Sequence, residues 1–307
     1  MSFKNSTKLL ASNFNIVWKH LVYNLIIAFI TIGLFLAFGG PLIWVLKDSG
    51  WIDSASNIIS TIYTDPSNTF VIIKQVALSF FTVVYQNFGA IWYSVIGLII
   101  TGYLIPKFLY GVGFYNVVSV THKQMTSLLA TGYTGNLIST LRTSTKYSIV
   151  RLLIMIPFDI LRILLVVAFF RLCSTFFTSL IFLSLLCLML IMLSGLEITT
   201  LAGFAPYMVD VGGNPFKCFA KAIVPIFKSF GKVYSNAIMV TLTIVLVNAF
   251  LGVFTAFSAL LITLPATSVF IAFFNNVSYL SCTNKRYYLS KYIIVNPTNV
   301  ETKVDVQ

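Results

Sequence analysis

Leu21–Leu46 reads LVYNLIIAFITIGLFLAFGGPLIWVL, without a charged residue anywhere along it. Crossing a hydrocarbon core of about 30 Å takes about 20 helical residues. The apolar region of an export signal is only about 7 to 15 residues long. The stretch therefore reads as a retained membrane anchor, although Lys4, Lys8 and Lys19 precede it as they would a signal peptide. Its apolar residues run continuously rather than alternating. An isolated span must also satisfy its own backbone hydrogen bonds, so it is a helix and not a barrel strand.

The rest of the chain repeats this composition. Of 307 residues, 58% are hydrophobic and 9% charged, with a mean hydropathy of +0.93. About a quarter of a soluble chain is charged, so a soluble two-domain protein is excluded: the missing polar surface must face lipid. After the first span at about 21–46, further apolar runs occupy about 89–105, 149–170, 176–204, 233–250 and 253–280. The expected fold is an all-α polytopic bundle of about six transmembrane helices forming a single domain over 1–307. It has an extracytoplasmic segment at 47–88 and a cytoplasmic tail at 281–307. Gly33, Gly39, Gly40, Gly97 and Gly102 are small enough to let helices approach closely; near Pro41 the first three equally suit a flexible or broken span.

Orientation follows from the basic residues. With the N-terminus inside, Lys4, Lys8, Lys19, Lys107, Lys123, Arg142, Lys146, Lys217, Lys221, Lys228, Lys232, Lys285, Arg286, Lys291 and Lys303 collect on the cytoplasmic side. Only Lys47, Lys74 and Arg171 fall outside, and Arg151 and Arg162 lie within the third span. Positive-inside insertion produces this bias, so both termini are expected in the cytoplasm of a plasma-membrane protein. The net charge of +12 then reads as topology and attraction to anionic lipid headgroups rather than nucleic-acid binding. A homo-oligomer or an accessory protein would be compatible with the same surface.

The chain also divides into thirds, about 1–106, 107–206 and 207–307, each a basic segment followed by an apolar hairpin. FNIVWKHLVYNLIIAF, TSTKYSIVRLLIMIPF and FKSFGKVYSNAIMVTL resemble one another as basic aromatic entries into spans. Biased composition could also produce that likeness. Between Lys47 and Phe88, the residues Phe70, Ile73, Ala77, Phe80, Phe81 and Val84 recur at helical spacing, which predicts an interfacial helix, either a cover for the bundle or a lid. Asp65-Pro66 and Gly50-Trp51 mark turns around it.

The most specific local construction is GFAPYMVDVGGNPFKCFAKAIVPIFKSFGKV, residues 203–233. Gly212-Gly213 breaks the chain, Asn214 can cap a helix, and Pro215 suits the first helical position because its missing N–H is not needed there. At about 100° per residue, Lys217, Lys221, Lys228 and Lys232 form one stripe and Phe216, Phe219, Ile223, Phe227 and Phe230 another. Pro225 is expected to bend this basic amphipathic segment. With Asp210 and Gly212 it makes either a membrane-surface helix or a coupling element for a soluble partner.

Asp159 and Arg162 lie mid-span, where a lone charge costs about 2.5 to 3.5 kcal/mol even on lenient scales. Their i, i+3 spacing allows an ion pair, and Pro157 can kink the helix beside them. Glu197, between Gly195 and Gly203 in the fourth span, could answer Arg162 or Arg151. Asp159, Arg162 and Glu197 are therefore expected to form one polar cluster, either a structural ion cluster or part of an ion or substrate path.

No catalytic or cofactor chemistry is expected. GxSxG, GxxxxGK[ST], HExxH and GxGxxG are all absent. Cys173, Cys187, Cys218 and Cys282 include no close pair, and His20 and His122 stand alone, so neither a metal site nor a cofactor is indicated.

FAPYMVDVGGNPFKCFAKAI, followed by two spans with TLP at Thr263–Pro265 and an aromatic, asparagine-containing end, resembles a broad group of uncharacterised bacterial six-helix membrane proteins. That group includes the membrane domain fused to some glycerophosphodiester phosphodiesterases. The likeness covers mainly the last third and implies membrane location; no phosphodiesterase domain accompanies it here. The same stretch resembles the coupling loop of ABC importer permeases, to which Asp210, Gly212, Phe219, Lys221 and Pro225 fit loosely. FAPYMV stands where that family has EAA. This resemblance implies a permease subunit that docks an ATPase through 207–232. The residues themselves point to an integral membrane protein without enzymatic activity, in a structural, accessory or transport-related role.

Overall fold

A computed structural model describes residues 2–57, 69–129, 131–172, 176–290, 292–297 and 299–303. The helices are α1 (Ser2–Ser12), α2 (Asn15–Asp48), α3 (Trp51–Ser56), α4 (Thr69–Gln86), α5 (Phe88–Ile99), α6 (Ile105–Ser127), α7 (Tyr133–Leu172), α8 (Phe176–Leu201), α9 (Phe204–Val211), α10 (Pro215–Lys228), α11 (Phe230–Phe254) and α12 (Leu260–Cys282). A π-helical turn, Ile100–Leu104, joins α5 to α6. Among the described residues, six helical stretches are long and apolar enough to cross a membrane. The fold is an all-α polytopic membrane bundle.

Several helices outrun the apolar windows. The second candidate span covers Phe88–Ser127 and the third Tyr133–Leu172, because backbone pairing continues past the hydrocarbon-length segment wherever the protein packs around it. The last span starts at Leu260 rather than near Val253: Ala256 and Phe257 take positive φ (46° and 67°) and interrupt the helix. Asp65-Pro66 lies outside the described residues.

The described part of the tail is ordered. It forms an antiparallel meander of β1 (Tyr287–Ser290), β2 (Ile293–Asn296) and β3 (Asn299–Lys303), with Tyr287 opposite Val295 and Ile293 opposite Lys303. Aromatic and β-branched residues on short runs favour this pairing. Tyr287 is fully buried and its hydroxyl accepts from Asn5 Nδ2 at 2.9 Å.

The chain forms two compact units, which cut across the thirds suggested by the sequence. The first comprises 1–27, 108–158 and 191–307; the second comprises 28–107 and 159–190. The first holds the main core, where Tyr115, Tyr147, Phe204 and Phe219 form a run of rings with centroids 5.1, 4.7 and 5.4 Å apart. Gly203 sits against α10: a Cβ there would lie 2.8 Å from the Ala222 carbonyl oxygen. Gly203→Val should therefore push α9 and α10 apart and destabilise the protein by about 1–3 kcal/mol. Equilibrium unfolding in mixed micelles measures it.

In the second unit, α2 and α5 meet at Gly97, whose missing Cβ makes room for the Phe38 ring. Of the five glycines marked for close approach, Gly97 is the tight one; Gly33 and Gly40 have open space around them. In the same unit, Trp51 donates through Nε1 to the Val76 carbonyl at 3.2 Å and packs edge-on to Phe80 at 5.3 Å, fixing α3 to α4.

Candidate functional site

Polar side chains in an apolar bundle settle where they can answer one another. Four such places stand out.

The first lies in the second unit. Asp159 accepts from Tyr103 Oη at 2.6 Å, from Arg162 Nη1 at 2.9 Å and from Lys107 Nζ. Tyr103 and Lys107 are one helical turn apart, and the ammonium lies 4.6 Å from the Tyr103 ring centroid. The i, i+3 pairing of Asp159 with Arg162 forms as the spacing suggests. Lys107 is the partner the sequence does not reveal: it reads as a cytoplasmic orientation charge, whereas the helical path from α5 into α6 brings it to the carboxylate. Side-chain exposures of 14% for Asp159, 25% for Lys107 and 26% for Arg162 make this a half-buried cluster.

Glu197 falls in the first unit. It is 8% exposed and shares the wall of a 110 Å³ cavity with Arg151 and Asn275. Arg151 lies 5.4 Å from the Phe114 ring centroid. The structure thus brings together two members of the expected trio, Asp159 and Arg162, and gives Glu197 its own polar nook, with Arg151 the nearby cation.

The third place is a network around His122 in the first unit. Asn276 donates through Nδ2 to the Val118 carbonyl at 3.2 Å and to Thr121 Oγ1 at 2.7 Å, which turns its Oδ1 toward His122 Nδ1, 2.9 Å away. On the other side of the ring, Nε2 is 2.7 Å from Asp210 Oδ1. Both ring nitrogens face side-chain oxygens, so His122 bridges Asn276 of α12 to Asp210 of α9. Tyr279 Oη at 2.8 Å and Lys285 Nζ at 2.6 Å donate to the other carboxylate oxygen. Asp210 is the hub that joins α6, α9, α12 and the approach to β1. His122 reads as solitary in the sequence because its partners are 88 and 154 residues away.

The fourth place is α10. Asn214 caps it, its Oδ1 accepting from Phe216 N at 3.0 Å with Pro215 following, and Gly212 and Gly213 make the preceding turn at φ 67° and 101°. The helix continues through Pro225 to Lys228. Lys232 belongs to α11, because Ser229 leaves helical geometry between them (φ −112°, ψ 27°). The helix presents three stripes rather than two. Cys218, Ala222 and Ile226 are buried against the protein, Phe216 and Phe227 are 58% and 48% exposed, and Lys217, Lys221 and Lys228 are exposed beyond them. Beside its first turn, Arg142 and Lys146 of α7 and Gly212–Phe216 line a 710 Å³ cleft.

Among the described residues no group of His, Cys, Asp and Glu could hold a metal ion.

The fold and these sites define a polytopic α-helical membrane protein with paired charges inside the bundle and a basic amphipathic helix at its edge. Neither a scan against family models nor searches of curated proteins and of solved structures found a match.

Proposed function

We propose that the chain is a plasma-membrane protein without enzymatic activity, with both termini cytoplasmic, whose role is structural: it gathers anionic lipid beneath its basic face. The observation that carries this reading is the three-stripe surface of α10. A helix with one face on the protein, one aromatic and one cationic is built to lie in an interface, its rings among acyl chains and its lysines at headgroup phosphates. The Arg142–Lys146 cleft adds two cations on the same unit. With Lys107 paired inside the bundle, fourteen basic residues against three still support the orientation. The resemblance to the six-helix membrane domains joined to phosphodiesterases accords with this location and supplies no activity.

In proteoliposomes of phosphatidylcholine with a minor fraction of phosphatidylglycerol, labelled phosphatidylglycerol should diffuse more slowly than labelled phosphatidylcholine. A juxtamembrane cation contributes about 1 kcal/mol. The triple change Lys217→Gln, Lys221→Gln and Lys228→Gln should therefore remove most of the difference, as should raised salt. Equal diffusion of both lipids around the unaltered protein would sink the reading.

The second reading, a permease subunit of an ABC-type importer, draws on the exposed Val211 and Phe216 on either side of the 212–214 turn, which a soluble ATPase could cover. Co-purification of an ATPase lost on Phe216→Ala, with lipid diffusion unchanged, would select it.

A further inference from the structure

The 710 Å³ cleft between α7 and the turn before α10 lies wholly within the first unit, and its size falls in the range of about 300–1,000 Å³ for small-molecule sites. Its chemistry is one-sided. Arg142 and Lys146 are its charged residues, and none of its described lining residues is acidic. Both cations are exposed, and among the described residues no ion pair engages either of them. They stand four residues apart on α7, so they project from one helix face, where like charges repel. An anion between them removes that cost.

The neutral polar groups of the cleft also offer donors. The hydroxyls of Ser139, Thr140, Ser144 and Thr145 are all spent on carbonyls of their own helix. That of Thr143, which lines the cleft, makes no such bond among the described residues. Across from it, the Asn214 Oδ1 is taken by Phe216 N at 3.0 Å, which leaves Nδ2 as the part of the amide still to be matched. A guanidinium, an ammonium, an amide N–H and a hydroxyl therefore border one space with no carboxylate among its described walls. A terminal phosphate has three acceptor oxygens and close to two negative charges, whereas a phosphodiester has two free oxygens and one charge. The terminal group uses more of these donors and balances both cations. The cleft is also much larger than a bare phosphate, and Ile149 and Phe216, 49% and 58% exposed, give it an apolar side.

We infer that this cleft binds a phosphate monoester, its terminal phosphate at Arg142 and Lys146 and the rest of the molecule along Ile149 and Phe216. A lipid headgroup and a soluble phosphate ester share that chemistry. The lipid source rests on the reading of a face that gathers anionic lipid; the preference for a monoester does not.

The test uses the full-length protein in phosphatidylcholine proteoliposomes at pH 8. Spin-labelled phosphatidic acid, a monoester, and spin-labelled phosphatidylglycerol, a diester, are compared for their motionally restricted fraction. Restriction of phosphatidic acid is expected to exceed that of phosphatidylglycerol by about fivefold, the gain from engaging a second cation. Arg142→Gln with Lys146→Gln should abolish the excess while the fold persists, because both side chains are exposed. Lys217→Gln, Lys221→Gln and Lys228→Gln together should leave the excess in place while removing the slowed diffusion of phosphatidylglycerol, so the site and the surface role of α10 fail separately. Radiolabelled glycerol phosphate supplies the soluble arm: saturable binding that is lost in the Arg142/Lys146 variant, without an excess of phosphatidic acid, would assign the cleft to a soluble ester. The absence of both signals from the unaltered protein would overturn the inference. So would a signal that survives in the Arg142/Lys146 variant, or one that disappears with the three lysines of α10.

Discussion

Asp159→Asn is expected to cost about 3–5 kcal/mol of stability, the range for breaking a buried ion pair by removing one partner. The carboxylate accepts from Lys107, Arg162 and Tyr103, and its loss removes the acceptor that these three groups share and brings the two cations' charges together uncompensated by Asp159. The companion variant separates charge from packing. Lys107→Met removes one of two cations and leaves Asp159 neutralised by Arg162, so it should cost much less, even though Lys107 also stacks on Tyr103. The double variant should be less damaging than the sum of the singles, because removing the ammonium relieves the repulsion that Asp159→Asn creates. Thermal unfolding in detergent, followed by size-exclusion chromatography, gives all three values. Equal losses for Asp159→Asn and Lys107→Met would mean that the cluster is held by packing and not by charge.

The same cluster shows how far the sequence could be read. Asp159 and Arg162 are legible because charges in an apolar run are costly and their i, i+3 spacing is local. Lys107 is not, since its assignment depends on where one helix lies against another, and its position at a span's end makes it look like an orientation signal. The α10 start is fully legible: Gly-Gly, Asn and Pro each act on their own backbone, and Asn214 caps as expected. Its third stripe is hidden in Cys218, Ala222 and Ile226, which read as filler among lysines and aromatics until a neighbour is known. The terminal sheet escapes because runs of four or five residues carry too little periodicity to stand out beside six apolar spans. His122 and Asp210 escape for the reason that hides most networks in folded chains, which is long sequence separation.

Asp210 carries the other large expected effect. Its carboxylate accepts from three groups on separate elements, His122 of α6, Tyr279 of α12 and Lys285 before β1, while its own helix, α9, leads into α10. His122 is only 3% exposed in its side chain, so Asp210→Ala leaves a buried ring nitrogen and the Tyr279 hydroxyl without their partner, at about 1–3 kcal/mol for each group. Lys285→Met should cost far less, since its side chain is 48% exposed and exposed pairs contribute about 0–1 kcal/mol. The difference has a spatial signature. Losing the hub should free the segment from Thr283 onward, because Lys285 is tied to it, and limited proteolysis should then cut near Arg286 and the meander before the bundle is attacked. His122→Leu combined with Asp210→Leu removes both polar side chains at once and should recover part of the loss, leaving Asn276 Oδ1 and the Tyr279 hydroxyl without their partners as the residual cost. If Asp210→Ala and Lys285→Met were equally mild and equally resistant to protease, the network would be incidental to the packing of α9 against α12, and the meander would be held by Tyr287 and Asn5 alone.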